Sequence, residues 1–205
     1  MFEKGYDMKK TLFTALPIFV LTFFLASCAK TVIPEEILLL PEYTSVYTAY
    51  NLWARPSLTS KEIWVIDELN TQKGEIIPFG TQIEFMKSDA ENIAFRRKSD
   101  GRNFILKYET GKNVRNIEDV IKSAFTTKSP EEIAAGIRPA DLAKLKRGLV
   151  EKGMRRSEVL LGYGLPPPLR TPALNVDTWT YFVDFGITRR VVFFGDKVIE
   201  FIQID

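Results

Sequence analysis

The spacing of apolar residues changes twice along this chain of 205 residues, and this constrains the fold more than any other feature. Between residues 42 and 110, apolar and polar residues alternate in short runs, which is the period of a β-strand. Between 113 and 161 the apolar spacing becomes helical, and between 177 and 202 it alternates again. Helices followed by antiparallel strands are typical of a layered arrangement in which the helices cover one face of a sheet. The sequence therefore predicts an α+β protein.

The first alternating segment predicts a small β-barrel. It contains five short strand-like runs and no helical stretch, and Ser99-Asp100-Gly101 supplies a hairpin turn. Two of its stretches, Asn51-Leu52-Trp53-Ala54-Arg55-Pro56 and Ile77-Pro78-Phe79-Gly80-Thr81, resemble those of a bacterial SH3-like domain. The resemblance implies an SH3-like β-barrel over 42–110, and domains of this kind bind peptides or cell-wall material through loop aromatics.

A helical segment follows the predicted barrel. Apolar residues spaced i, i+3, i+4 and i+7 predict an amphipathic helix: Ile117, Val120, Ile121 and Ala124. Ser129-Pro130-Glu131-Glu132 combines an N-cap serine, proline at the first helical position and glutamate at the third, which indicates a helix start. A further helix is predicted over 139–152.

The C-terminal residues carry a second resemblance. The stretch 148–159, with Gly153-Met154 between two predicted helices, looks like the entrance to a BamE (SmpA/OmlA-type) lipoprotein domain. Trp179-Thr180-Tyr181 matches the aromatic pair of that family's first strand, and 193–198 matches its final hairpin. The resemblance implies a two-helix, three-stranded antiparallel sheet domain. Pro166-Pro167-Pro168 departs from the family pattern, and none of the family's contact residues is carried over.

The N-terminus reads as a targeting segment. Lys9 and Lys10 precede an apolar run at 12–24, which as a helix would span roughly 20 Å against a bilayer core of about 30 Å. That length fits a secretory signal peptide, with a start at Met8. Leu25-Ala26-Ser27-Cys28 then resembles the lipobox of bacterial lipoproteins, which implies that cleavage leaves Cys28 as an N-terminus carrying a diacylglycerol.

These patterns predict five segments. They are a lipoprotein signal peptide at 1–27, a tether at 28–41, the SH3-like barrel at 42–110, a helical linker at 111–140, and the BamE-like domain at 141–205. Ala29 and Lys30 follow Cys28, with no aspartate at the second position of the mature chain, which resembles the outer-membrane sorting pattern of Gram-negative lipoproteins. The predicted location is the outer membrane, facing the periplasm, with the inner membrane as the alternative.

Composition argues against catalysis. The chain has no histidine and a single cysteine, so the commonest general base and an internal disulfide are both missing. No phosphate-binding loop, nucleophile elbow or zinc-protease motif is present. A net charge of +2 is too small for bulk nucleic-acid binding. We expect no enzymatic activity, no metal, no cofactor and no nucleic-acid partner.

Large aromatic residues are the remaining candidates for contact with a partner. Tryptophan and tyrosine are enriched at binding hot spots because they bury much area and keep a polar tip. The candidate interaction residues are Trp53, Trp64, Tyr163 and Trp179. Packing in the core is the competing interpretation for each, and it is favoured for Trp179.

The sequence thus predicts a lipid-anchored interaction or scaffold protein of the cell envelope. It would be attached to the membrane through Cys28 and would hold a protein partner, with a role in outer-membrane assembly permitted by the BamE resemblance. One alternative is a binding module for cell-wall peptide or glycan, with peptidoglycan as ligand. The other is a proteinaceous enzyme inhibitor that uses its terminal sheet.

Overall fold

The computed structural model describes residues 31–109 and 115–204, and over these residues the chain is mostly β with few helices. Its strands form three sheets. The strands are β1 (Thr31–Val32), β2 (Val46–Thr48), β3 (Leu52–Pro56), β4 (Ile63–Ile66), β5 (Glu75–Ile77), β6 (Gln82–Phe85), β7 (Ser88–Asp89), β8 (Asn92–Arg97), β9 (Asn103–Lys107), β10 (Phe125–Thr126), β11 (Thr178–Asp184), β12 (Ile187–Phe194) and β13 (Lys197–Ile204). The helices are α1 (Pro34–Ile37), α2 (Ile117–Ala124), α3 (Pro130–Ile133), α4 (Pro139–Lys146) and α5 (Arg156–Tyr163).

The large sheet has eight strands in the order β10-β2-β6-β8-β9-β4-β3-β5 and curls around an apolar core. Its other neighbouring strands are antiparallel, but β4 and β9 run parallel, with Ile66 paired to Leu106. A parallel pair needs a long connection. Here the connection between β4 and β9 contains four strands: β5, β6, β7 and β8.

Alternating residues on two neighbouring strands build the centre of this sheet. Ile93 and Phe95 on β8 are fully buried, as is Phe104 on β9. The Phe95 and Phe104 rings stack with centroids 5.4 Å apart. Because alternate residues of a strand share a face, this pattern marks the side that faces the core.

Helix α2 closes one side of the core. Asn116 caps it by accepting a hydrogen bond from the Asp119 N–H at 2.8 Å, and Ile121 and Ala124 are fully buried. The predicted amphipathic helix is therefore confirmed. At Phe125 the backbone becomes extended, and the chain continues as β10 beside β2. The segment predicted as a helical linker thus contributes a strand to the large sheet.

Residues 31–40, which belong to the predicted tether, pack on the large sheet. Thr31 and Val32 of β1 pair with Asp89 and Ser88 of β7. Helix α1 contacts α2, and the side chains of Ile37, Leu38 and Leu40 pack against the core. Only Cys28, Ala29 and Lys30 of the tether precede the described residues.

The C-terminal sheet has the order β11-β12-β13 and is antiparallel throughout. The hairpin predicted around Gly195-Asp196 is confirmed as β12 and β13. The buried residues of this sheet share a cluster with Leu145 of α4 and Val159 of α5, and Trp53 and Phe79 from the N-terminal half belong to the same cluster. The predicted domain boundaries stay a prediction, but apolar packing crosses the one at residue 140.

Asn51 joins the two halves through hydrogen bonds in a fully buried position. Its side-chain amide donates to the carbonyl oxygens of Leu145 (2.6 Å) and Gly162 (3.0 Å). Its Oδ1 accepts from the Phe79 N–H at 3.0 Å. Nearby, the Asn70 side chain donates to the Asn51 carbonyl at 2.9 Å and accepts from the Trp53 N–H at 2.9 Å. We call Asn51 and Asn70 the buried seam.

The predicted fold class, an α+β protein with a small SH3-like barrel followed by a BamE-like two-helix domain, is wrong. The chain forms an eight-stranded curled mixed sheet and two smaller sheets, with few helices. The resemblances rest on short local stretches, which do not fix long-range strand pairing. The parallel β4–β9 pair and the addition of β10 both depend on residues far apart in sequence.

Candidate interaction surface

Three of the four predicted aromatic contact residues are buried. Trp53 is 6% exposed, Tyr163 4% and Trp179 1%. The structure brings Trp53 and Tyr163 together with ring centroids 6.4 Å apart, and Trp179 lies 4.7 Å from Phe193. These rings pack in the core that the two halves share, which leaves them little surface for a partner.

Trp64 lies apart from them, on the large sheet. It is partly buried, and the Arg102 guanidinium stands 5.2 Å from its ring centroid. Arg102 is held in turn by hydrogen bonds to the carboxylates of Glu75 and Asp100. Trp64 therefore belongs to a paired charge network. Cys28, the predicted lipidation site, lies outside the described residues.

A cluster of polar groups lies between the buried seam and the C-terminal sheet. Arg189 donates to the Tyr163 hydroxyl at 3.0 Å and to Gln72 Oε1 at 3.2 Å. The Tyr181 hydroxyl donates to the Gly164 carbonyl at 3.1 Å, and burial raises the pKa of Tyr181 well above its ordinary value. A buried tyrosine held in its protonated form is suited to donating a hydrogen bond rather than to nucleophilic attack.

Two buried side-chain nitrogens have no hydrogen-bond partner among the described residues: Gln72 Nε2 and Trp179 Nε1. Neither faces a group of candidate metal ligands, because the described residues contain no cluster of three or more acidic, cysteine or histidine side chains suited to a metal. We therefore assign no chemistry to this cluster. Its geometry positions the C-terminal sheet against the rest of the protein.

The opposite face of the C-terminal sheet is open. Trp179, Tyr181 and Val191 point into the core, so the residues that alternate with them point away from it. Cross-strand pairing places them in three rows: Phe182, Thr188 and Ile204; Thr180, Arg190 and Ile202; Thr178, Val192 and Glu200. We call these nine residues the outer face.

A groove of about 550 Å³ runs over the outer face beside Leu169 and Arg170. The guanidinium groups of Arg170 and Arg190 make no hydrogen bond or ion pair with any residue that the structure describes, and both residues are exposed. Threonine hydroxyls at 178, 180 and 188 line the same groove. Guanidinium and hydroxyl donors beside exposed isoleucines suit a partner that presents carboxylates and apolar side chains.

Sequence reasoning did not single out this groove. The alternation of Thr178 and Thr180 with Trp179 and Tyr181 predicts which residues share a face, so the signal for one polar face was present. No local sequence pattern predicts that Arg170 lines the groove. It lies in the loop before β11, and only the tertiary structure places it beside the outer face.

Comparison with protein-family models, with curated proteins and with solved structures finds no match to this chain. None of the described helices is long and apolar enough to cross a bilayer.

Proposed function

We propose that this protein is a lipid-anchored interaction protein of the cell envelope. Its diacylglycerol would be attached to Cys28 and would hold it on the outer membrane, facing the periplasm. Two or more acyl chains make such anchoring stable, because each buried methylene contributes about 0.8 kcal/mol. The protein would act by holding a protein partner near the membrane.

The observation that carries the partner-binding proposal is the outer face. It combines the unpaired guanidinium of Arg190, threonine hydroxyls and exposed isoleucines on one sheet, and the unpaired guanidinium of Arg170 lies beside it. Presentation on a β-sheet lowers the entropy lost on binding, because the strands already order the backbone that carries these side chains. The partner would present carboxylates opposite Arg170 and Arg190.

Co-purification from solubilised envelopes tests this proposal. The wild-type protein and the variants Arg190→Glu and Arg170→Glu are compared with Arg147→Glu, which makes the same charge change at an exposed position outside the outer face. We expect one envelope protein to be recovered with the wild type and Arg147→Glu, and to be lost with the other two. Equal recovery with all four would contradict the assignment to this face.

Metabolic labelling with a palmitate analogue tests the anchor separately. The wild-type protein should be labelled and Cys28→Ser should not, since Cys28 is the single cysteine of the chain. Equal label in both, or label in neither, would overturn the membrane location.

A second candidate function is inhibition of an envelope or foreign enzyme. Phe185, in the turn between β11 and β12, is fully exposed, and an apolar side chain on a tight hairpin is a shape that fits an enzyme cleft. Saturable, stoichiometric loss of a hydrolase's activity, relieved by Phe185→Ala, would support it. The cell-wall alternative has less support, because the Trp53 side chain that motivated it is buried.

A further inference from the structure

Only a short segment separates Cys28 from the first strand of the described structure. Thr31 is already paired with Asp89 in a β-ladder, and it follows Cys28 by three residues. An extended chain covers at most about 3.6 Å per residue, so the Cα atoms of Cys28 and Thr31 lie within about 11 Å of each other. An acylated Cys28 would therefore hold this end of the fold against the bilayer.

Two residues that follow Thr31 within twelve positions along the chain have exposed side chains and a left-handed backbone conformation: Leu39 and Tyr43. Leu39 has φ +53° and is 86% exposed. It follows α1 in a helix-ending turn, in which the Leu40 N–H donates to the Glu35 carbonyl at 3.0 Å. Glycine is usual at such a position because it has no Cβ. Leucine here places an apolar side chain outward, while its neighbours Leu38 and Leu40 pack on the core.

Tyr43 repeats this arrangement four residues later. It has φ +64° and is 100% exposed, in a turn closed by the Thr44 N–H donating to the Pro41 carbonyl at 3.3 Å. The remaining non-glycine residue with positive φ in the described chain is Asn70, which is buried and uses its side chain in the seam. The side chains of Leu39 and Tyr43 make no hydrogen bond with any residue that the structure describes.

We infer that Leu39 and Tyr43 insert into the interfacial region of the membrane to which the protein is anchored. This inference rests on the proposed acylation of Cys28. Leucine suits the acyl boundary, and tyrosine suits the headgroup level because its ring is apolar and its hydroxyl remains hydrated. Together they would fix the orientation of the protein on the bilayer, with the acyl chains as the main anchor.

The charges around the two residues select the kind of lipid. Glu35, Glu36 and Glu42 are exposed beside them, so an anionic surface would repel this end of the protein. The surface contacted is therefore one of zwitterionic phospholipid. Contact is driven by apolar burial and by the short link to Cys28.

Site-specific fluorescent labelling tests this inference. Acylation blocks the single native thiol, so Leu39→Cys, Tyr43→Cys and Leu58→Cys each offer one free thiol for an environment-sensitive probe. Leu58 is a matched control, since it is a fully exposed leucine between β3 and β4. The acylated proteins are reconstituted in phosphatidylcholine vesicles that contain nitroxide-labelled lipid.

We expect probes at positions 39 and 43 to be quenched at least about threefold more strongly than the probe at 58, because interfacial side chains lie some 5–10 Å below the surface. Equal quenching at all three positions, in protein that floats with the vesicles, would overturn this inference and leave the anchor intact. Failure of the acylated preparation to float would overturn the anchor and this inference together. Stronger quenching on replacing part of the phosphatidylcholine by phosphatidylglycerol would contradict the zwitterionic assignment.

Discussion

The arginines on the strands of the large sheet are paired, whereas the arginine on the outer face of the C-terminal sheet is not. Each arginine on a strand of the large sheet reaches a partner: Arg55 to Asp67 at 3.2 Å, Arg96 to Asn103 at 3.1 Å and Arg97 to Asp100 at 2.6 Å. On the outer face of the C-terminal sheet, Arg190 reaches no described residue. The arginines of the large sheet are paired within the protein, whereas the guanidinium donors of Arg190 on the outer face are available to another molecule. The comparison therefore points to the C-terminal sheet as the contact region.

The interiors of the two sheets also differ. The large sheet curls around its own core, with α1 and α2 packed against it. The C-terminal sheet has one covered face, and Trp53 and Phe79 from the other half complete that cover. The C-terminal sheet thus depends on the large sheet for part of its core, and the buried seam is where this dependence can be tested.

The largest expected effect comes from breaking the seam at Asn51. In Asn51→Ala, the carbonyls of Leu145 and Gly162 lose a donor and the Phe79 N–H loses an acceptor. Leaving three buried groups unsatisfied should lower the free energy of unfolding by about 3–5 kcal/mol. Urea denaturation measures it, with Asn103→Ala as control because that side chain bonds Arg96 at the surface. Similar losses for both variants would show that the seam does not join the halves.

A backbone position at the same junction should give the next largest effect. Gly164 has φ +79°, and a Cβ there would lie 2.8 Å from the Tyr50 ring. Gly164→Ala should cost about 2–4 kcal/mol, from left-handed strain plus overpacking. Gly101 has φ +72° but open space around it, so Gly101→Ala should cost only about 1 kcal/mol. Equal decreases in Tm for Gly164→Ala and Gly101→Ala would mean that the close contact at Gly164 adds nothing to the cost of the substitution.

Local elements of this fold were predictable from sequence, whereas their assembly was not. The β12–β13 hairpin follows from alternation on both sides of Gly195-Asp196, and α2 follows from its apolar spacing, because both depend on near neighbours. The capping box at Ser129 was also readable, although its helix ends at Ile133. The pairing of β10 with β2 joins residues almost eighty positions apart, and no local pattern encodes it.

The candidate site was predictable only in part. Alternation along β11 separates Trp179 and Tyr181 from the threonines between them, which defines two faces. The alternation does not show which of the two faces α4 and α5 cover. An aromatic residue on the covered face packs in the core, whereas one on the open face is available to a partner. The preference of large aromatics for interfaces and for cores rests on the same apolar area, so Trp53 and Tyr163 could not be assigned from type alone.

A smaller effect is expected at Arg156, which ties the loop before β11 to the β12–β13 turn. Its guanidinium donates to the carbonyls of Val176 (2.6 Å) and Gly195 (3.0 Å) and lies 4.2 Å from the Phe193 ring centroid. Arg156→Met keeps much of the packing and loses the donors, which should cost about 1–2 kcal/mol. Arg147→Met, at an exposed position, should stay within about 0.5 kcal/mol of wild type. Thermal unfolding of both variants checks this.

The smallest effect concerns the charge network of the large sheet. Hydrogen bonds from Arg102, and then from Arg97, lower the pKa of Glu75 from its ordinary value of 4.5. A carboxyl with a lowered folded-state pKa stabilises the protein above its unfolded-state pKa, and this contribution is lost as the pH falls through the folded value. Glu75 is one-third exposed, so solvent screening should keep the contribution below about 1 kcal/mol.

Between about pH 5 and 3, Glu75→Gln should therefore lose less stability than the wild type, whereas exposed Glu62→Gln should follow the wild type. Denaturant melts across that range measure the difference. Parallel pH profiles for wild type and Glu75→Gln would mean that the ion pairs of Glu75 with Arg97 and Arg102 are energetically neutral. In that case neither the paired arginines at Glu75 nor the unpaired Arg190 would stabilise the fold. The two surfaces would then differ only in whether their arginines are available to bind a partner.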